Sequence, residues 1–276
     1  MFRLSQGSGR PRRPVLVALL LCVVVDGALL TKYLADDAVL RNVVELDPGL
    51  PPSRKVLTLL DYIDKNVERR ETTDESFLPG LSFLRPTARQ VLEKGGDCAD
   101  RSRLLIELLK REGVHASKVA LHDRQGVPQH AVVQARIEDD DRSMVVDALF
   151  GVSFPNERGG YYSAWDIRED ESILEERLRE LGPTQPFTRE YPLDRYTYAA
   201  PRTINWNKSW GTQQLYWMLY GIIGPRVDTL PRPAIVGDPV LLTLTVAVLA
   251  QLTGALGLLL FGRVRIRRRH GAVQTA

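Results

Sequence analysis

From Val240 to Phe261 the chain runs for twenty-two residues without a charged side chain, and Thr243, Thr245, Gln251 and Thr253 are its main polar interruptions. A helix of about twenty apolar residues matches the hydrocarbon thickness of a bilayer, so this segment is expected to span one. A shorter apolar run, VLVALLLCVVVDGALL, covers residues 15–30 and is broken only by Asp26. Arginine-rich sequence flanks both runs. Arg3, Arg10, Arg12 and Arg13 precede the first, and Arg263, Arg265, Arg267, Arg268 and Arg269 follow the second. The positive-inside rule places both flanks in the cytoplasm, which gives two crossings with residues from about Thr31 to Asp238 outside, in the periplasm of a bacterium.

The first run also has the look of an export signal, but the best small-x-small candidate for cleavage, ending at Ala35, has Tyr33 two residues before it. The run therefore reads as a retained signal anchor. Leu21 before Cys22 is too large for a lipid-attachment site, so Cys22 is expected to be a small buried hydrophobe. The expected layout is a basic N-terminus (1–14), an anchor (15–31), an extracytoplasmic domain (32–238), a span (240–261) and a basic tail (262–276).

Charge excludes one class of partner. The two tails hold nine of the 37 bases and no acid, so the remainder carries 28 bases against 34 acids, a balance of −6. A nucleic-acid binder needs a phosphate-neutralising surface, so no nucleic-acid partner is expected. The tails read as orientation signals that touch lipid headgroups.

The outward domain contains one cysteine, Cys98, with no partner for an intramolecular disulfide in a compartment that normally pairs thiols. Its surroundings give it a chemical setting. Thr87 and Gln90 have capping-box spacing, and Gly95 and Gly96 end the segment they open. Asp97 is then the expected N-cap of a helix from Cys98 to Glu112 whose Leu104, Leu105, Leu108 and Leu109 share one face, with Gly113 stopping it. Unpaired N–H groups at a helix start favour an anionic sulfur and serve as oxyanion donors. Downstream, SKVAL (117–121) reads as a strand, Gly126 and Pro128 as a turn, and HAVVQARI from His130 as a second strand. Asp139, Asp140 and Asp141 read as a solvated hairpin turn, and SMVVDALF, which contains Asp147, as a third strand. On antiparallel neighbours His130 and Asp147 fall side by side.

The stretches GGDCADRSRLLIELLKREGVHASKV, QHAVVQARI and MVVDALFGVSF resemble the transglutaminase-like superfamily in content and in the order Cys, His, Asp. The resemblance covers about Thr87 to Phe154. It implies an α+β fold with a papain-like core, in which the cysteine-bearing helix packs on an antiparallel sheet between the two membrane helices. It also implies Cys98 as nucleophile, His130 as base and Asp147 as orienting acid, acting on a protein or peptide-like amide with no cofactor and no metal. Val132 stands where many relatives have tryptophan and Ser117 where many have arginine, two departures outside the three site positions that bear on substrate preference. The rival expectation is a non-catalytic binding or assembly module that keeps the fold.

Elsewhere Ser53 is the expected cap of an amphipathic helix through Val56, Leu60, Ile63 and Val67. Residues 172–181 read as a charged helix. His115 and His122 are expected at the surface. Trp206, Trp210, Trp217 and Tyr220 are expected near one helical face, against either a membrane or the outward domain.

Overall fold

The computed structural model describes residues 12–70, 76–78, 80–81, 84–137, 142–190, 200–230 and 233–273. The expected aspartate turn at 139–141 lies outside the described residues. The chain forms two compact units, one from residues 36–237 and the other from the chain on either side of it.

The smaller unit is built from two long helices, α1 (Arg12–Arg41), whose residues from Asp36 on belong to the larger unit, and α10 (Pro239–Val273). Within them Val17–Arg41 and Pro239–Gly257 are long and apolar enough to cross a membrane. Asp26, the one charge in the first apolar run, accepts a hydrogen bond from Gln251 of the second at 3.1 Å. That pairing removes part of the cost of a carboxylate in an apolar segment. The helix α1 does not end near Thr31 as the apolar run suggested, because no proline or glycine follows. It continues to Arg41, where Arg41 and Asp37 pair one turn apart at 2.7 Å.

The larger unit is mixed α+β around a five-stranded antiparallel sheet in the order β4-β3-β2-β1-β5. Its strands are β1 (Ala116–His122), β2 (Pro128–Arg136), β3 (Ser143–Asp147), β4 (Val152–Ser153) and β5 (Ala200–Arg202). The first strand begins one residue earlier than the sequence suggests. Pro128 opens β2 where a turn was expected, a place proline tolerates because it donates no ladder hydrogen bond. The turn before it is closed by Asp123, whose carboxylate accepts from Gln125 N and Val127 N.

Alternation along the strands gives the sheet two apolar faces. Val133, Ala135, Met144 and Val146 join the core built with α2 (Pro52–Asn66), α3 (Ala88–Lys94) and α4 (Cys98–Arg111). Val119, Leu121, Val132 and Val145 join a second core with α5 (Ala164–Glu169), α6 (Glu171–Leu181) and α7 (Pro186–Glu190). Helix α4 packs on β1 and β2 through Leu104, Leu105, Leu108 and Leu109, all buried. At about 1.5–3 kcal/mol per buried leucine, this face fixes the helix on the sheet more firmly than any cap does.

Several local expectations change. Helix α2 starts after Pro51 with proline in its first turn, and Ser53 lies inside it, so it has no side-chain cap. His122 is buried, not exposed, because β5 pairs with the outer edge of β1 and sets Ala200 opposite it. Its Nδ1 lies 3.0 Å from the Ala120 carbonyl. His115 is exposed. Trp206 does not share a helix with the other aromatics. It sits in a 3-10 turn, Trp206–Lys208, and is buried, while α8 (Trp210–Ile223) starts after a Ser209 capping box. One short turn, α9 (Ala234–Gly237), precedes α10.

Candidate functional site

Two glycines set the approach to Cys98. Gly95 has φ +85°, and a Cβ there would lie 2.3 Å from the Glu68 carbonyl, so only glycine fits. The close approach lets Gly96 N donate to Glu68 O and Gly96 O accept from Arg70 N, both at 3.1 Å. The chain then turns into α4. Asp97 Oδ1 accepts from Ala99 N and Asp100 N at 2.9 Å each, and Cys98 is the first helical residue. The cap consumes the N–H groups of residues 99 and 100 and does not use that of Cys98, which stays at the positive end of the helix.

Asp97 Oδ2 accepts from Arg85 at 2.8 Å, and Arg85 also lies 3.5 Å from Asp100. Asp100 is fully buried and its carboxyl is pushed up by that burial, against the pull of Arg103 and Arg85. Burial opposes the charge on Arg85, but Asp100 and Asp97, with a smaller contribution from Cys98, hold its pKa above the usual arginine value. A half-exposed guanidinium therefore sits beside the first turn of the cysteine helix.

The structure brings His130 and Asp147 together. Continuing the β2–β3 register by one residue sets Asp147 opposite Val132, on the face that also carries His130. His130 Nε2 lies 2.8 Å from Asp147 Oδ2, and both side chains are buried. The other carboxylate oxygen accepts from Leu149 N at 2.9 Å and Phe150 N at 3.3 Å, which locks the carboxylate at the turn after β3. The Phe150 ring centroid is 6.2 Å from the imidazole, and Arg69 lies over the outer side of Phe150 at 5.3 Å.

Cys98 approaches them from the helix side, near enough to His130 for its sulfur to favour the charged imidazole. With Nε2 given to Asp147, Nδ1 is the ring nitrogen left for the sulfur. Burial opposes charge on the imidazole, but the Asp147 carboxylate and the Cys98 sulfur outweigh it, and the His130 pKa is pushed up to about 10. An imidazolium held between a carboxylate and a sulfur can give a proton to a departing amine, and the helix-start N–H of Cys98 can meet a developing oxyanion.

A pH dependence follows. The His130 pKa is raised above its unfolded value of about 6.5, so the stability it contributes is fully present below pH ~6.5 and is lost as pH rises through about 10. Denaturant midpoints of the full-length protein in detergent should fall further between pH 7.5 and pH 10.5 in the wild type than in His130→Gln. Parallel falls in the two proteins would contradict the raised value.

Three residues that the motif did not single out hold this arrangement. Arg101, one turn past Cys98, is almost fully buried. Its Nε donates to Ala148 O at 2.8 Å, one Nη to Val67 O at 2.8 Å and the other to Ile63 O at 3.2 Å. It ties the start of the cysteine helix both to the end of α2 and to the residue after Asp147. Ser102 donates to Ala131 O at 3.1 Å, beside His130. Arg85, described above, is the third. A readable signal existed for Arg101, which falls at the helical spacing of Leu104, Leu105 and Leu108. None existed for Arg85. Among the described residues, no group of three His, Cys, Asp or Glu side chains is placed to hold a metal ion.

Comparison with protein-family models, with curated proteins and with solved structures gave no match for this chain.

Proposed function

We propose that this protein is a membrane-anchored thiol acyl-transfer enzyme with a papain-like, transglutaminase-like core, acting on an amide of a protein or peptide-like substrate. The observation that carries the reading is a cysteine at the first residue of a buried-face helix, close to a histidine that is itself held by a buried carboxylate. In the proposed reaction the Cys98 sulfur attacks the amide carbonyl, and the oxyanion meets the Cys98 N–H. His130 protonates the leaving amine as the C–N bond breaks, which leaves a thioester on Cys98. Asp147 keeps the imidazole oriented. Water then gives hydrolysis, as in a peptidase or amidase, and an amine gives transamidation.

The two apolar helices and their arginine-rich flanks support a two-pass topology, with both termini cytoplasmic and the residue 36–237 unit outside, where it would process the cell envelope or an exported polymer. One experiment tests chemistry and topology together. In sealed vesicles of known orientation, a membrane-impermeant thiol reagent should label the wild-type protein from the face opposite its termini and should not label Cys98→Ala. Labelling only from the side of the termini would overturn the topology. A Cys98 that reacts no faster than a small free thiol would remove the basis for a nucleophile.

A further inference from the structure

Helix α8 is held to the larger unit by one narrow seam. Tyr216 is buried against Trp206 and Val227, with Leu219 and Ile223 beside it, a spacing that repeats on one side of a helix. The turn before α8 is anchored by Asn207, which donates to Gly126 O at 2.8 Å in the β1–β2 turn. The remaining circumference is exposed and mostly apolar, with Gln213 and Gln214 its polar members: Trp210 is 78% exposed, Trp217 59%, Met218 58% and Ile222 73%, with Leu215 and Tyr220 also exposed. Elsewhere among the described residues of the residue 36–237 unit, large apolar side chains are exposed singly, at Val39, Leu81, Val127 and Ile235.

We propose that α8 is an interfacial helix that lies in the headgroup region of the same membrane the apolar helices cross, an inference that rests on the membrane-anchored reading above. Three observations favour lipid over a protein partner. First, no charged residue occurs from Trp210 to Pro225, while Lys208 and Arg226 flank the run, the order expected of a segment sunk between phosphate-seeking ends. Second, at about 100° per residue the exposed apolar side chains spread over roughly 220° of the helix, an arc that a fluid interface wraps more readily than a single protein groove does. Its Trp and Tyr content suits the headgroup zone, where aromatic rings with one polar edge collect. Third, Ile223 lies sixteen residues before Pro239, a tether of at most roughly 55 Å to the start of the apolar span. With fourteen residues, α8 is about 21 Å long, too short to cross a bilayer, so it lies along the surface.

Tryptophan fluorescence of the full-length protein in phosphatidylcholine vesicles tests this. The chain has four tryptophans. Lipids brominated near the carbonyl end of the acyl chain should remove most of the emission contributed by Trp210 and Trp217, and this quenching should be largely lost in the Trp210→Phe/Trp217→Phe protein. Both side chains are exposed, so the variant should keep the wild-type far-UV circular dichroism. Quenching of the same emission by aqueous iodide and not by brominated lipid would overturn the proposal. Protection from both quenchers would also overturn it, because a protein surface would then cover the helix. An alkaline carbonate wash separates the two readings. A protein retained by the vesicles but not quenched by lipid refutes only the interfacial helix. A protein stripped by the wash, although its tryptophans were quenched beforehand, refutes the membrane-spanning anchors instead.

Discussion

Cys98→Ala is expected to abolish thioester formation with a small activated ester, followed as the mass of the acylated protein, because the only other cysteine, Cys22, lies within the first apolar helix. His130→Ala should lower the acylation rate by roughly 10²–10⁴, the range that a positioned acid–base group contributes. Asp147→Asn should cost less than His130→Ala. An amide at 147 can still accept from Leu149 N and Phe150 N and hold the turn, but it no longer offsets the imidazolium charge. The graded order separates an enzyme from a binding module. Equal rates in the wild type and His130→Ala would mean that the thiol reacts unaided, and the acyl-transfer reading would fall. Cys98→Ala should fold like the wild type, whereas His130→Ala and Asp147→Asn break a buried pair, so their rates are compared at a temperature where circular dichroism shows each protein folded.

The second large effect concerns Arg101. In Arg101→Met the carbonyls of Ala148 and Val67 lose this donor, while Ile63 O keeps the Val67 N–H, and each unsatisfied buried group costs about 1–3 kcal/mol. Methionine fills part of the volume, so the expected loss is about 3–5 kcal/mol, read as a fall in the denaturant midpoint of the full-length protein in detergent. Arg101→Lys should recover only part of it, because an ammonium on a flexible stem cannot reproduce the planar fork that reaches three carbonyls. Acylation of Cys98 should slow in Arg101→Lys even at temperatures where the protein remains folded, since Arg101 joins the cysteine helix to the residue after Asp147. A destabilisation under 1 kcal/mol in Arg101→Met would show that these contacts are not what holds the helix.

Much of this architecture was legible in the sequence where a local rule and the packing agree. Asp97, the leucine spacing and Gly113 delimit the cysteine helix to within a residue or two, and the capping box at Thr87 and Gln90 is present as read. The proximity of His130 and Asp147 followed from strand alternation alone. Part of what failed depended on residues far away in the chain. His122 looks like a polar strand end until β5 arrives to cover it, and Ala-Pro-Arg carries no strand signal of its own. Trp206 looked like part of one aromatic helix because its spacing fits, but the Ser209 capping box restarts the helix after it. The spacing of Arg101 with the core leucines marks it as inward-facing, but its acceptors are backbone carbonyls, which leave no mark in a sequence.

The strand order has a consequence for how the domain is made. In the finished sheet Ala120 faces Arg202, so the outer edge of β1 is completed by a segment that leaves the ribosome 82 residues later. At about 5–20 residues per second, that edge waits roughly 4–16 s with its peptide groups unpaired, after β2 and β3 have already been synthesised. An open strand edge is a template for pairing with another chain. The interval is therefore the stage of biogenesis at which a holding chaperone, or a delay in delivering residues 200–202, would decide between a monomeric sheet and an edge-joined aggregate.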